Sequence, residues 1–381
     1  MTPFGGVDYY NLDDLLTDEE RMIRKTVRDF VEREALPIIE DHHSREAFPR
    51  HLIPRMAELG LFGANLKGYG CAGFNNIAYG LICQEMERGD SGLRSMVSVQ
   101  GSLCMHPIHA FGSEAQKERW LPGMAAGKLI GCFGLTEPDH GSDPGGMETR
   151  ARPDGNQFII TGVKRWITNG SIADVAIVWA KTNEGIRGFL VEKGMPGFSA
   201  HDIKGKFSLR ASITSELILD DVRVPRENML PRVTGLKGPF SCLSQARYGI
   251  VWGAMGAAMS CYHTALHYAK DRRQFDRPLA GYQLVQQKLV HMVTEITKGQ
   301  LLAHRLGQLK DQGKVRPEHI SLAKRNNVGH ALEIARVGAS WPARPSPPAP
   351  LPPLQPLSKI MPVGAAGEGG RRRGEGKGHR R

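Results

Sequence analysis

The chain has 381 residues, 40% of them hydrophobic, with 50 Lys and Arg against 39 Asp and Glu, a formal net charge of +11. That length fits two or three domains, each with a substantial core. No apolar run is long enough to span a bilayer, and the acidic start MTPFGGVDYYNLDDLLTDEE has neither a signal-peptide core nor an Arg-rich presequence pattern. A membrane-spanning or secreted protein is therefore not expected. Cys71, Cys83, Cys104, Cys132, Cys242 and Cys261 include no C-x-x-C pair, which argues against a disulfide or zinc framework. The natural setting is a reducing compartment, either a bacterial cytoplasm or a mitochondrial matrix.

The first 129 residues read as helices joined by short connections. Thr17-x-x-Glu20 is a capping box, after which Ile23, Val27, Phe30 and Val31 recur at helical spacing until Pro37 marks a kink or stop. A second capping box, Ser113-x-x-Gln116, introduces a helix running to Trp120. From about 130 to 237 the texture changes to short β-branched runs between Gly, Asn and Asp, at 157–161, 175–180, 188–192 and 216–219, the pattern of antiparallel strands. Helical periodicity returns from 238 to 336, with small residues at 249–258 and amphipathic stretches at 281–312 and 315–336. The expected fold class is α+β multidomain: an N-terminal helical domain (14–129), a central antiparallel β domain (130–237) and a partial C-terminal helical bundle (238–336).

Residues 337–381 differ from all of this. They hold eight Lys and Arg, two Glu and nine of the chain's 24 prolines, a net charge of +6 that leaves only +5 for residues 1–336. Their Pro-rich, then Gly/Arg-rich composition predicts a disordered tail. The tail lacks the interleaved aromatics and amphipathic period of a nucleic-acid or membrane-surface arm, so neither partner is expected.

Several motifs carry little chemistry. Gly68-Tyr-Gly-Cys-Ala-Gly73 matches G-x-G-x-x-G, but no strand precedes it and no acidic residue follows in a βαβ setting, so it reads as a glycine-rich turn. His263 and His267 share a helix face, but Thr264 stands where a zincin needs Glu, and no metal site is expected. Asp139-His-Gly-Ser142 is a polar loop without a nucleophile elbow. More informative are GCFGLTEPDHGSDP at 131–144 and KRWITN at 164–169. A planar redox ring needs an aromatic or apolar wall and donors aimed at the atoms that gain charge, and Phe133, Thr136, Ser142, Trp166 and Thr168 can supply both. An ordinary β-hairpin region fits the same spacing.

Those two motifs resemble the paired signature of the acyl-CoA dehydrogenases, and 113–122 resembles another stretch of that family. Arg94-Ser95 within SGLRSMVSVQ, the segment 240–247 followed by Tyr248-Gly249, and GKFSLRAS at 205–212 resemble its glutaryl-CoA dehydrogenase branch. The likeness covers roughly residues 8–336. It implies a tetramer that binds FAD and acyl-CoA and passes electrons to electron-transfer flavoprotein. By the same likeness Phe133, Leu135, Thr136, Ser142, Trp166, Ile167 and Thr168 form the flavin wall, while Arg272 and Gln283 contact the FAD of a neighbouring subunit. Arg94 would take the terminal carboxylate of glutaryl-CoA with Glu87 beside it, and Ser95 and Ser142 would be further substrate contacts. Phe240, Leu243 and Arg247 would line the CoA channel. The family reaction removes the α proton with a carboxylate while the β hydrogen leaves as hydride, and in this branch decarboxylation to crotonyl-CoA can follow.

One part of the family pattern is missing. The base normally lies in a Tyr-Glu-Gly stretch that this sequence does not contain, and at the position some relatives use instead, just before Arg247, stands Ala246. The expectation is a chain whose C-terminal part has been replaced, with no catalytic residue assignable and impaired activity. A non-catalytic protein that binds FAD and CoA esters, or interferes with intact subunits, is the alternative.

Overall fold

The structure, a computed structural model, describes residues 4–340; the expected tail lies, from 341 onward, outside the described residues. The first helix, α1 (Asp18–Phe30), starts at the capping box, where the Thr17 hydroxyl accepts from Glu20 N–H at 3.2 Å and the Glu20 carboxylate accepts from Thr17 N–H at 2.8 Å. Two otherwise free helix-end donors are thereby satisfied. Ile23, Val27 and Phe30 are buried along one face. A π turn at Val31–Ala35, in which Leu36 N–H donates to Val31 O, then leads into α2 (Leu36–Ser44), so Pro37 falls where the helix changes its hydrogen-bond period and continues rather than stops.

α3 (Ile53–Glu58) is followed by the glycine-rich turn, in which Gly68, Gly70 and Gly73 all take positive φ of 73–78°. It is a turn between helices with no strand before it. Then come α4 (Asn76–Gly89), capped by Asn75, and α5 (Ser91–Ser98), capped by Asp90. A second π segment, Val99–Met105, leads to α6 (His106–Phe111) and α7 (Glu114–Ala125), the latter opened by the Ser113/Gln116 capping box.

The central sheet contains β1 (Gly131–Gly134), β2 (Arg150–Asp154), β3 (Gln157–Thr168), β4 (Val175–Thr182), β5 (Gly185–Glu192), β6 (Phe198–Asp202) and β7 (Thr214–Pro225). The order is β1-β4-β2-β3-β7-β6, with β5 also on β4. Pairing is mostly antiparallel; β1 lies parallel to β4 (Gly131 opposite Val175), and one β2–β4 pair is parallel as well. β4 is buried from Val175 to Ala180, as its unbroken apolar run requires. Gln100 joins the sheet to the helices: its Oε1 accepts from Gly131 N–H at 2.8 Å, and its Nε2 donates to Leu129 O at 2.8 Å.

The second helical domain has α8 (Lys237–Asp271), a hairpin of β8 (Arg273–Gln274) and β9 (Arg277–Pro278), α9 (Gln283–Asp311) and α10 (Pro317–Ala339). The last helix extends past Arg336. Leu284 and Val290 on α9 and Leu322 on α10 are exposed, and His263 packs edge-on against both Phe4 and His267. Among the described residues no helix is long and apolar enough to cross a membrane.

Glycines set the contact between the two helical domains. A Cβ on Gly249 would stand 3.0 Å from Cys83 Sγ, on Gly253 2.7 Å from Glu87 Oε2, and on Gly256 1.9 Å from the Gln84 carbonyl oxygen. The first two obstacles are side-chain atoms; the third is backbone of α4 and cannot swing aside. Gly256→Ala is therefore expected to force α4 and α8 apart and to destabilise the protein by about 2 kcal/mol or more. Gly329→Ala is the control, because nothing lies within 4 Å of that position. A Gly256→Ala thermal midpoint matching that of Gly329→Ala would show that the glycine is not needed for the close approach.

Candidate functional site

The ends of β1 and β3 build one side of the site. Phe133 is buried on β1 and meets Trp179 edge-on, with ring centroids 6.3 Å apart. Beyond the strand, Leu135 is buried, Thr136 is half-buried and Ser142 is exposed. The Arg165 N–H donates to Thr136 O at 2.8 Å, which keeps this loop against β3. On β3 the register against β7 shifts between Lys164 and Ile167, and Trp166 within that irregularity has φ of +62°. An aromatic residue in the left-handed region costs on the order of 1–3 kcal/mol. The result is an indole 44% exposed beside Thr136, with Ile167 buried and Thr168 half-buried next to it. The structure thus gathers Phe133, Leu135, Thr136, Trp166, Ile167 and Thr168 where β1 and β3 end, at one rim of the sheet.

A buried ion pair fixes that edge. Lys164 Nζ donates to Glu137 Oε1 at 2.8 Å and to Leu135 O at 3.2 Å, and Glu137 Oε1 also accepts from Thr149 N–H at 3.0 Å. Burial works to raise the Glu137 carboxyl, but donation from the Glu148 backbone and from Lys164 outweighs it and brings the pKa down to about 2. Burial lowers Lys164 to about 8 despite the Glu137 charge. Neither residue was singled out by the sequence reading. The signal was nonetheless present, because each of the two informative motifs contributes one charge of the pair.

α4 and α5 supply the second part. Arg94 and Glu87 are both buried, and Arg94 Nε donates to Glu87 Oε2, while Ser91 Oγ donates to Glu87 Oε1. Burial would lower the Arg94 pKa, but the Glu87 carboxylate outweighs it, so the guanidinium stays charged. Ser95 is buried one residue on. Asn169, the last residue of the 164–169 motif, connects the two parts: it follows β3 with φ of +67° and its Nδ2 donates to Met96 Sδ at 3.1 Å.

α8 forms the third wall. Phe240, Leu243 and Arg247 recur at helical spacing, with Phe240 41% exposed and the other two half-buried, while Ala246 is buried on a neighbouring face. Arg272 and Gln283 lie elsewhere. Both are exposed and flank the β8–β9 hairpin. α8 has 35 residues, and its start abuts the β domain where Gly238 meets Trp179. Arg272 is thus about 50 Å along the helix from that contact.

These three walls match a known family in each domain. The acyl-CoA dehydrogenase N-terminal, middle and C-terminal domain models match residues 17–128, 132–222 and 234–338. The chain belongs to the acyl-CoA dehydrogenase family. It is 36% identical to the rat mitochondrial short-chain specific acyl-CoA dehydrogenase over 316 residues, covering 81% of this chain and 77% of that one. To the glutaryl-CoA dehydrogenase of Desulfococcus multivorans it is 33% identical over 315 residues, covering 80% and 81%. Two crystal structures of glutaryl-CoA dehydrogenase from Mycobacterium smegmatis superpose on it. One has 58% identity and a TM-score of 0.85, covering 86% of this chain and 85% of that one. The other, in complex with FADH2, has 54% identity and a TM-score of 0.87, covering 88% and 86%. The likeness supports the glutaryl-CoA dehydrogenase branch.

Replacing Glu137 by Gln leaves the Lys164 ammonium buried without a counter-charge, expected to cost about 3–5 kcal/mol at neutral pH. The sign with pH follows from the depressed carboxyl. Its contribution is complete above the unfolded value of 4.5 and is lost as pH falls through about 2. Denaturant midpoints measured from pH 7 down to 2 should therefore fall more steeply in the parent protein than in Glu137→Gln below pH 4.5. Parallel curves would show that the pair does not hold the loop.

Proposed function

We propose that this chain is an FAD- and CoA-ester-binding protein of the glutaryl-CoA dehydrogenase type, with impaired turnover of its own. The observation that carries the reading is the buried Arg94–Glu87 pair beside an exposed Trp166/Thr136 wall. Isoalloxazine suits that wall: Trp166 offers an aromatic face, Thr136 a hydroxyl, and Leu135 and Ile167 an apolar backing. Bound there, the flavin supplies a two-electron acceptor for the β hydrogen of an acyl-CoA. The protein's part is to orient the thioester between α8 and the sheet, with Phe240 and Leu243 flanking the chain and Arg247 at its polar side.

Arg94 supports selection of a dicarboxylyl ester. A buried guanidinium whose Nε is held by Glu87 has its remaining donors available for a terminal carboxylate, and a plain acyl chain leaves them unpaired. Ser95 and Ser142 serve as further polar contacts in this reading. Arg272 and Gln283 fit the FAD of a neighbouring copy, because helix length separates them from their own chain's wall. The exposed Leu284, Val290 and Leu322 agree with assembly, taken here as a tetramer, and electron-transfer flavoprotein is the proposed electron acceptor.

Impaired turnover rests on two carboxylates that, among the described residues, are buried beside the proposed cleft. Glu87 is engaged by Arg94 and Ser91, Glu137 by Lys164 and two backbone N–H groups, and Ala246 offers no acid. General-base catalysis is worth about 10²–10⁴-fold, which is the expected deficit in flavin reduction. The check is to purify the 381-residue chain, record its flavin spectrum and mix it anaerobically with glutaryl-CoA. Retained flavin with bleaching at least about 10²-fold slower than in a family member that carries the Tyr-Glu-Gly base is expected. Bleaching at a relative's rate refutes the impairment, and absence of flavin after reconstitution refutes the FAD reading.

A further inference from the structure

α10 and α8 run side by side in the same direction. Asn327 Nδ2 on α10 donates to Val251 O on α8 at 2.9 Å, and further along a Cβ on Gly338 would lie 3.8 Å from Cys261 O and 3.9 Å from Ala265 Cβ. One turn before Asn327 stands Lys324, and one turn before Val251 stands Arg247, so the two cations are level on adjacent helices. Nearly two turns beyond Arg247, Gly253 of α8 lies against Glu87 Oε2, the carboxylate that Arg94 holds.

We propose that Lys324 completes a cationic triad with Arg94 and Arg247, and that this triad makes Lys324 a specificity-determining residue for the anionic acyl end of a dicarboxylyl-CoA ester. The inference rests on the reading that the cleft takes CoA esters. Arg94 already has Glu87, but among the described residues neither Arg247 nor Lys324 has an ion-pair or hydrogen-bond partner. Lys324 is half-buried, and its pKa is lowered first by burial and then by the charges of Arg247 and Arg94, with no carboxylate offsetting them. Three cations therefore share one site with a single carboxylate. Such a site repels its own members until an anion enters, and a neutral acyl chain brings no relief. This separates Lys324 from a residue that merely packs: its removal should change discrimination between esters of similar size, not affinity for CoA esters in general.

The test is titration calorimetry of the full chain with glutaryl-CoA and with butyryl-CoA, on the parent, Lys324→Met and Lys324→Arg. The parent is expected to prefer glutaryl-CoA. Lys324→Met should weaken glutaryl-CoA about tenfold and leave butyryl-CoA unchanged, and Lys324→Arg should restore the preference. Thermal midpoints accompany the titrations; Lys324→Met should be no less stable than the parent, because it removes a like charge. Equal weakening of both esters would place Lys324 at the CoA portion or in packing and overturn the inference. So would an unchanged preference in Lys324→Met, with the cleft reading left standing. A parent that binds neither ester, or both equally, would sink the cleft reading itself and the inference with it.

Discussion

Everything at the site depends on how closely α8 can approach α4. Gly249, Gly253 and Gly256 remove the side chains that would keep the helices apart, and the space they leave is filled by Cys83, Glu87 and the α4 backbone itself. Close approach excludes water from the Arg94–Glu87 pair. In that setting the pair has lost hydration that attraction alone does not fully recover, so in the proposed reading its presence is explained by what the guanidinium can receive rather than by stability. A hydrophobic substitute would pack as well and would recognise no carboxylate.

α5 carries this constraint to the sheet. Arg94 on α5 is held from α4, Met96 two residues later receives Asn169 at the end of β3, and Gln100 just beyond binds the start of β1. The proposed flavin wall and the proposed carboxylate site are thus parts of one rigid connection. The Glu137–Lys164 pair adds a second tie within the wall, joining the loop after β1 to the strand that displays Trp166. Strain at Trp166 is tolerable because both flanks are anchored, Lys164 on one side and Asn169 on the other.

Local chemistry made much of this legible in the sequence. The capping boxes at Thr17 and Ser113, the turn glycines at 68–73 and the apolar run at 175–180 all report short-range rules, and the structure follows them. The spacing of Phe240, Leu243 and Arg247 likewise shows one helix face. Long-range pairing is different. Nothing in a strand pattern says that Lys164 points inward to a carboxylate 27 residues away, since a lysine on an alternating strand reads as solvent-facing. The parallel placement of β1 on β4 and the alignment of Lys324 with Arg247 depend on chain crossings that no local period encodes. Arg94 is an intermediate case. Its residue type and its helix were plain, but its burial follows from glycines about 160 residues downstream.

The same geometry explains why binding and turnover separate in the proposed reading. A base for the α proton must be a carboxylate with a free lone pair beside the flavin wall. Glu87 and Glu137, both buried, are each engaged by donors: the first by Arg94 and Ser91, the second by Lys164 and the N–H groups of Glu148 and Thr149. Those donors hold Glu137 far below the range of an effective base at neutral pH. Freeing either acid would leave Arg94 or Lys164 buried without its counter-charge, so neither can be recruited without undoing the site it stabilises. In that reading charge selection and proton abstraction need different carboxylates, and Glu87 and Glu137 are both committed to holding cations in place.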